Sequence, residues 1–331
     1  MREAAIDAFL TSAGWDTARR EKLPGDASFR RYVRLYLPEG SAMLMDAPPA
    51  HEDVRPFARV ARHLASMGYS APRLLAEDED AGFLLLEDLG NATYTRELAR
   101  GADERALYTM AVDLLIDLHR RTDAVARGIP PYDDARLLEE VTLLIDWYMP
   151  AVTGTPVSDD MRESYLVAWH AVLPLARRIP DTLVLRDYHV DNLMVVAGRA
   201  GLAACGLLDF QDAVIGPASY DLVSLLEDAR RDLAPGLADE MLARYFAAFP
   251  KLDHDAFRAS YGILGAQRNA KIIGIFTRLC RRDGKPRYLA HIPRVWRLLE
   301  GDLAHPALAP VRAWFDRHLP PGRRIVPAAS T

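Results

Sequence analysis

Between Thr182 and Leu208 three short apolar runs, Leu183-Val184-Leu185, Leu193-Met194-Val195-Val196 and Ala203 to Leu208, have the length and composition of strands. The first two are separated by Arg186-Asp187-Tyr188-His189-Val190-Asp191-Asn192, and the third ends at Asp209. Strands on either side would hold this polar loop rigidly. An Asp and an Asn five positions apart on one tight loop can face the same point, the Asp accepting a proton and the Asn offering a neutral oxygen to a metal ion. A carboxylate at the end of the next hairpin, Asp209, can complete the metal site. Phosphoryl transfer needs those parts.

Acidic and amide residues are common in turns, so the loop carries weight only with its surroundings. Residues 2–13 read as a short helix, followed by strands over Phe29–Leu37 and Ala42–Asp46 around the turn Pro38-Glu39-Gly40. The spacing of Val54, Phe57, Val60, Ala61 and Leu64 predicts a helix over Glu52–Met67, stopped by Gly68. Leu74-Leu75 and Gly82–Leu86 give two further strands with the acidic turn Glu77-Asp78-Glu79-Asp80 between them. After Gly90 the pattern turns to long helices: Ala106–Arg121, Leu137–Met149, Met161–Ile179, Leu222–Arg231, Leu237–Phe249 and most of Asp255–Leu279. The expected organisation is therefore α+β, with a small mixed lobe over 1–90 and a mainly helical lobe over 91–331. The Pro-, Gly- and Arg-rich ending from Pro320 is expected to fray.

Several classes of chemistry lose support. The chain has no Walker loop, no GxGxxG and no GxSxG, and His51-Glu52 meets Arg55 where a zinc protease would need histidine. Cys205 and Cys280 are too few for a disulfide framework or zinc cluster. With 41 Lys and Arg against 46 Asp and Glu, the net charge of -5 gives no global pull toward nucleic acid or an anionic membrane. No run approaches a membrane span and the opening lacks the layout of a signal peptide, so a cytoplasmic protein without an evident protein partner is expected.

The loop, Asp209 and the preceding mixed lobe together resemble the aminoglycoside phosphotransferase and choline kinase group, which has a bilobal protein-kinase-like fold, and the resemblance covers nearly the whole chain. It implies Asp187 as catalytic base, Asn192 and Asp209 as Mg²⁺ ligands and ATP as donor, with the first lobe binding nucleotide and the second carrying catalysis and the sugar site. His189 takes the histidine position of the DxHxxN pattern and is expected to order the loop, and Asp221, in Gly216-Pro217-Ala218-Ser219-Tyr220-Asp221, to support it. Leu23–Tyr32 falls at the nucleotide-positioning loop, where Gly25, Ala27, Ser28 and Arg30 would meet phosphate, and Glu87 to Leu89 falls at the hinge, meeting adenine mainly through backbone. One departure stands out. The strand that should carry a phosphate-binding lysine reads Ala42-Met43-Leu44-Met45-Asp46, leaving Arg30, Arg31, Arg34, or metal and backbone alone, to meet the phosphates.

Within that group, Met43–Pro49, Gly82–Gly90 and Leu185–Leu193 are most similar to the bacterial anomeric kinases of N-acetylmuramate and N-acetylglucosamine. The resemblance implies a C1-phosphorylating enzyme of peptidoglycan sugar recycling. An aminoglycoside or amino-alcohol phosphotransferase and a nucleotide-binding pseudokinase are the alternatives. N-acetylmuramate carries a carboxylate, and Ala266–Arg297 holds nine Lys or Arg and one acidic residue, Asp283, which makes Arg268, Lys271 and Arg278 candidates for meeting it. Trp147, Tyr148 and Tyr188 could supply an apolar face for the sugar, or simply belong to the core.

Overall fold

The computed structural model describes residues 2–24 and 29–329. Two compact units emerge: Met1–Leu114 with Val190–Ala213, and Leu115–His189 with Val214–Thr331.

The first unit begins with helix α1 (Arg2–Ser12) and strands β1 (Arg19–Lys22), β2 (Arg31–Leu37) and β3 (Gly40–Asp46). Helix α2 (Arg55–Ser66) precedes β4 (Leu74–Asp78) and β5 (Phe83–Glu87), so Glu77 and Asp78 extend a strand instead of forming the expected turn. The five strands form one antiparallel sheet in the order β1-β2-β3-β5-β4. Alternation sorts its two faces. Leu35, Ala42, Leu44, Phe83 and Leu85 pack against Ile6, Phe9 and Leu10 of α1. The opposite parity carries Tyr32, Arg34, Met43 and Leu86, which line a cavity. Helix α2 starts with Pro56 in its first turn and buries Phe57, Ala58, Val60, Ala61 and Leu64 along one stripe.

Helices α3 (Tyr94–Ala99) and α4 (Glu104–Arg120) follow, and α4 carries the chain into the second unit. There α5 (Asp134–Leu143) passes into a π-turn over Leu144–Tyr148 and then α6 (Met149–Thr153), where the sequence pattern predicts one continuous helix. Gly274 explains how the irregular segment packs. A Cβ there would lie 2.3 Å from the Leu143 carbonyl carbon and 2.6 Å from the Leu144 nitrogen, so only glycine permits the backbone approach. Helix α7 (Asp159–Ala176) leads to β6 (Asp181–Val184).

The hairpin of β7 (Leu193–Val195) and β8 (Cys205–Leu207) returns to the first unit, and β9 (Val214–Pro217) pairs with β6 in the second. Helix α8 (Tyr220–Leu226) stops well before the expected Arg231, and the Asp228 side chain then turns the chain by accepting the Arg230 amide at 2.8 Å. Helices α9 (Leu237–Ala248), α10 (His254–Arg281), α11 (Ile292–Leu303) and α12 (Ala309–His318) complete the unit. Its core joins α5, α7, α11 and α12 around α10, most of whose 28 residues are buried.

The tail does not fray where expected. Arg324 pairs with Glu300 at 2.7 Å and Asp316 at 3.3 Å and lies over the Trp296 ring, while the Ile325 carbonyl accepts the Tyr148 hydroxyl at 2.7 Å. Among the described residues, no helix is long and apolar enough to cross a membrane.

Candidate active site

The first unit contains a cavity of about 380 Å³ between the sheet face and the β7–β8 hairpin. Met43, Leu86, Met194 and Leu208 supply apolar walls, with the Glu87–Asn91 segment along one edge. That edge is built by a side-chain turn: the Asp88 carboxylate accepts the Gly90 amide at 2.9 Å, and Gly90 has φ +89°. Arg34 locks it. Its guanidinium reaches Asp88 at 2.8 Å, the Asn91 amide oxygen at 2.7 Å and the Gly90 carbonyl at 2.9 Å, with the Arg34 and Asp88 side chains only 7% and 6% exposed. Glu87 donates its amide to the Arg73 carbonyl at 2.8 Å, and its carboxylate binds Arg73 and Arg199. Burial works to raise the Glu87 carboxyl, but these arginines outweigh it and hold the group below its ordinary range. Leu89 lines the same edge.

Asn192 and Asp209 enter this cavity from the open end of the hairpin. The Asn192 carbonyl accepts the Leu208 amide at 2.9 Å, which fixes the two residues across the ladder. Asp209 then adopts φ +59°, a left-handed conformation that costs a non-glycine residue of order 1–2 kcal/mol. Packing imposes it: Phe210 is buried and stacks on Phe57 of α2 at 5.0 Å. The Asp209 side chain, 47% exposed, accepts a bond from Gln211 Nε2 at 2.9 Å and lies 3.6 Å from Arg30. Gly25, Ala27 and Ser28, the expected phosphate loop, lie outside the described residues.

The second unit holds Asp187, half-buried, just after β6. Asp221 on α8 accepts the backbone amides of Leu185 at 2.7 Å and Arg186 at 2.9 Å. Arg186 has φ +67°, the only left-handed non-glycine besides Asp209 among the described residues. Its carbonyl accepts Ser224 Oγ at 3.1 Å, and its guanidinium pairs with Glu140. Glu140 also accepts Tyr132 Oη at 2.6 Å, Gln267 Nε2 at 3.0 Å and Lys271 Nζ at 3.1 Å. Burial alone would raise the Glu140 carboxyl; Lys271 and Arg186 reverse this and hold it at about 2. His189 is buried, and its amide donates to the Asp187 carbonyl at 3.1 Å. Burial lowers its pKa, with Arg230 acting in the same sense, so the ring stays neutral at pH 7.

The sugar-side candidates are scattered. Lys271 is committed to Glu140 and to the Tyr220 hydroxyl at 3.0 Å, while Arg268 donates to the Glu227 carbonyl at 3.3 Å. Arg278 lies two turns further along α10 from Lys271, about 10 Å by helical rise. The basic stretch is therefore not one ligand-facing surface: Arg294 is paired with Asp232 and Arg282 with Asp283. Tyr188 is 2% exposed, Tyr148 is buried against Trp296, and Trp147 is half-buried in the π-turn. The Arg34–Asp88–Asn91 lock and the Glu140 hub are absent from the sequence reading. The position of Arg186 immediately before Asp187 was the available hint of the second.

The phosphotransferase enzyme family model matches residues 19–257. The chain belongs to that family. The phosphotransferase is 40% identical to an N-acetylmuramate/N-acetylglucosamine kinase of Caulobacter vibrioides, over 96% of this chain and 97% of that one. It is also 40% identical to a protein of the same name from Pseudomonas aeruginosa, over 93% and 91% of the two chains. Among solved structures, a choline/ethanolamine kinase family protein from Mesorhizobium loti has a TM-score of 0.61 at 15% identity, covering 95% of this chain and 100% of that one. The GDP complex of aminoglycoside 2'-phosphotransferase-IIIa has a TM-score of 0.58 at 14% identity, with 92% and 99% covered. These likenesses show the kinase-like α+β fold that the phosphotransferase shares with them.

The donor set of the phosphotransferase also suits a hard cation. Among the described residues no group of three or more His, Cys, Asp and Glu is poised for a metal. Asn192 and Asp209, whose side chains each carry an oxygen donor, instead line one cavity, the sparse protein contribution typical of Mg²⁺ sites completed by phosphate and water.

Proposed function

We propose that this phosphotransferase moves the γ-phosphoryl group of ATP to the anomeric C1 hydroxyl of N-acetylmuramate and N-acetylglucosamine, giving the sugar 1-phosphate for peptidoglycan recycling in the cytoplasm. The observation that carries the reading is 40% identity to proteins named for those two sugars over more than nine-tenths of both chains. Retention of Asp187, Asn192 and Asp209 supports an active enzyme over a nucleotide-binding pseudokinase.

In this reading the unit containing the five-stranded sheet binds the nucleotide, with adenine along the Glu87–Leu89 edge, and the helical unit brings the sugar. Asp187 orients the C1 hydroxyl and accepts its proton as the sugar oxygen bonds to phosphorus and the bond to the ADP oxygen breaks. Asn192 and Asp209 would hold Mg²⁺, which when bound neutralises phosphate charge. Asp221 fixes the backbone just before Asp187 through two amides, and neutral His189 packs the same loop from inside. An anomeric hydroxyl is more acidic than a simple alcohol, so positioning contributes more than basicity.

The test is incubation with ATP, Mg²⁺ and each amino sugar, alongside choline and an aminoglycoside, with phosphorus NMR locating the product phosphate. A resonance coupled to the sugar H1 is expected. Phosphate on any other hydroxyl, or transfer only to choline or the aminoglycoside, would overturn the assignment.

A further inference from the structure

We propose that Glu140 is a positioning residue for phosphoryl transfer: acting through Arg186, it holds the backbone turn that aims Asp187. This rests on the reading of Asp187 as proton acceptor, but the residue concerned sits on α5, far from the catalytic loop in sequence. Arg186 lies between β6 and Asp187 at φ +67°, a conformation that costs a residue with a Cβ about 1–2 kcal/mol. Left to itself, Arg186 would relax to a right-handed or extended backbone, and Asp187 would swing with it.

Contacts from two sides oppose that relaxation. From α8, Asp221 accepts the Arg186 amide at 2.9 Å, and Ser224 Oγ donates to its carbonyl at 3.1 Å. From α5, Glu140 pairs with the guanidinium. Glu140 can serve as a fixed post because its own place is set by three other donors: Tyr132 Oη at 2.6 Å, Gln267 Nε2 at 3.0 Å and Lys271 Nζ at 3.1 Å. Gln267 and Lys271 stand four apart on α10 and so share one face. The Tyr132 ring meets Tyr220 edge-on at 5.1 Å and carries the Arg186 guanidinium over its face at 5.5 Å. Tyr220 is the neighbour of Asp221, so the two supports of Arg186 are packed against each other.

The same contacts exclude direct ligand binding by Glu140. A carboxylate offers about four acceptor positions, and Arg186, Tyr132, Gln267 and Lys271 take them up. Its side chain is 11% exposed. With no oxygen to spare for sugar or nucleotide, its influence on the reaction runs through the main chain of Arg186.

The test measures kcat and KM for ATP and N-acetylglucosamine in Mg²⁺ on the whole chain, well below the melting temperature of each variant. Arg186→Ala loses the guanidinium but keeps the Cβ, and should lower kcat about tenfold or more with both KM values within about twofold of the parent. Arg186→Gly accepts φ +67° without the penalty and should recover kcat to within about threefold of the parent. Glu140→Asp keeps the charge but falls one methylene short, and should lower kcat several-fold. Combined with Arg186→Gly it should cause no further loss. Arg324→Met, which breaks a buried arginine's pairs elsewhere in the same unit, should lower the melting temperature and leave kcat unchanged. Parent kcat in Arg186→Ala, no advantage of glycine over alanine, or a further loss in the combined variant would each overturn the proposal. So would a raised sugar KM at unchanged kcat in Glu140→Asp, or an equal kcat loss in Arg324→Met. Parent protein that phosphorylates neither amino sugar would instead remove the kinase reading, and this assignment with it.

Discussion

Asp221 receives the backbone amide of Arg186 at 2.9 Å, while Arg186 sits at φ +67° directly before Asp187. A buried carboxylate thus holds a strained backbone in place from a neighbouring helix. Asp221→Ala removes the acceptor for two buried amides and should cost about 2–4 kcal/mol of stability in urea denaturation. Burial drives the Asp221 carboxyl up to about 7, although both amides and Arg268 oppose this. A raised carboxyl binds its proton more tightly in the folded state. Its contribution is therefore full below about pH 4 and fades as pH rises through 7. Asp221→Asn should flatten that limb of the stability profile between pH 4 and 8, and an unchanged profile would contradict the burial argument.

Glu140 has the opposite sign. Held at about 2 against an ordinary value near 4.5, it contributes about 3 kcal/mol that is present above pH 4.5 and lost as pH falls toward 2. Glu140→Gln leaves Lys271 and Arg186 buried without their counterion, at a cost of about 3–5 kcal/mol at pH 7. The gap between parent and variant should narrow when urea midpoints are compared at pH 7 and pH 3.

Asp187→Asn should lower kcat by about 10²–10⁴ while leaving ATP affinity and melting temperature near the parent values. Turnover at the parent rate would remove Asp187 as the proton acceptor.

Arg34→Met leaves Asp88 buried and unpaired and should destabilise the protein by about 3–5 kcal/mol, with weaker nucleotide binding. Adding Asp88→Leu should recover much of the stability and little of the binding, because the edge turn that Asp88 closes with Gly90 is then lost. A double-mutant cycle by chemical denaturation, with ATP titration of each variant, separates the two effects.

The amphipathic stripe of α2 and the glycine after it were legible because each buried position repeats at helical spacing. Strand β1, Arg-Arg-Glu-Lys, was not, since an exposed edge strand carries charges and no apolar alternation. The π-turn at Leu144–Tyr148 and the early end of α8 were missed for another reason: long-range packing, through Gly274 and through Asp228, overrides local preference at both. Tail anchoring likewise depends on Arg324 meeting residues of α11 and α12.

Residue order by itself determined the polar loop between apolar strands, the oxygen-bearing side chains at 187, 192 and 209, and the alternation that puts Tyr32 and Arg34 on one sheet face, because these follow from chemistry and local periodicity. Only tertiary structure decided which cations are already spent. Lys271, Arg34 and Arg186 are bound to carboxylates far away in sequence, and no local pattern encodes which distant charges a fold will bring together.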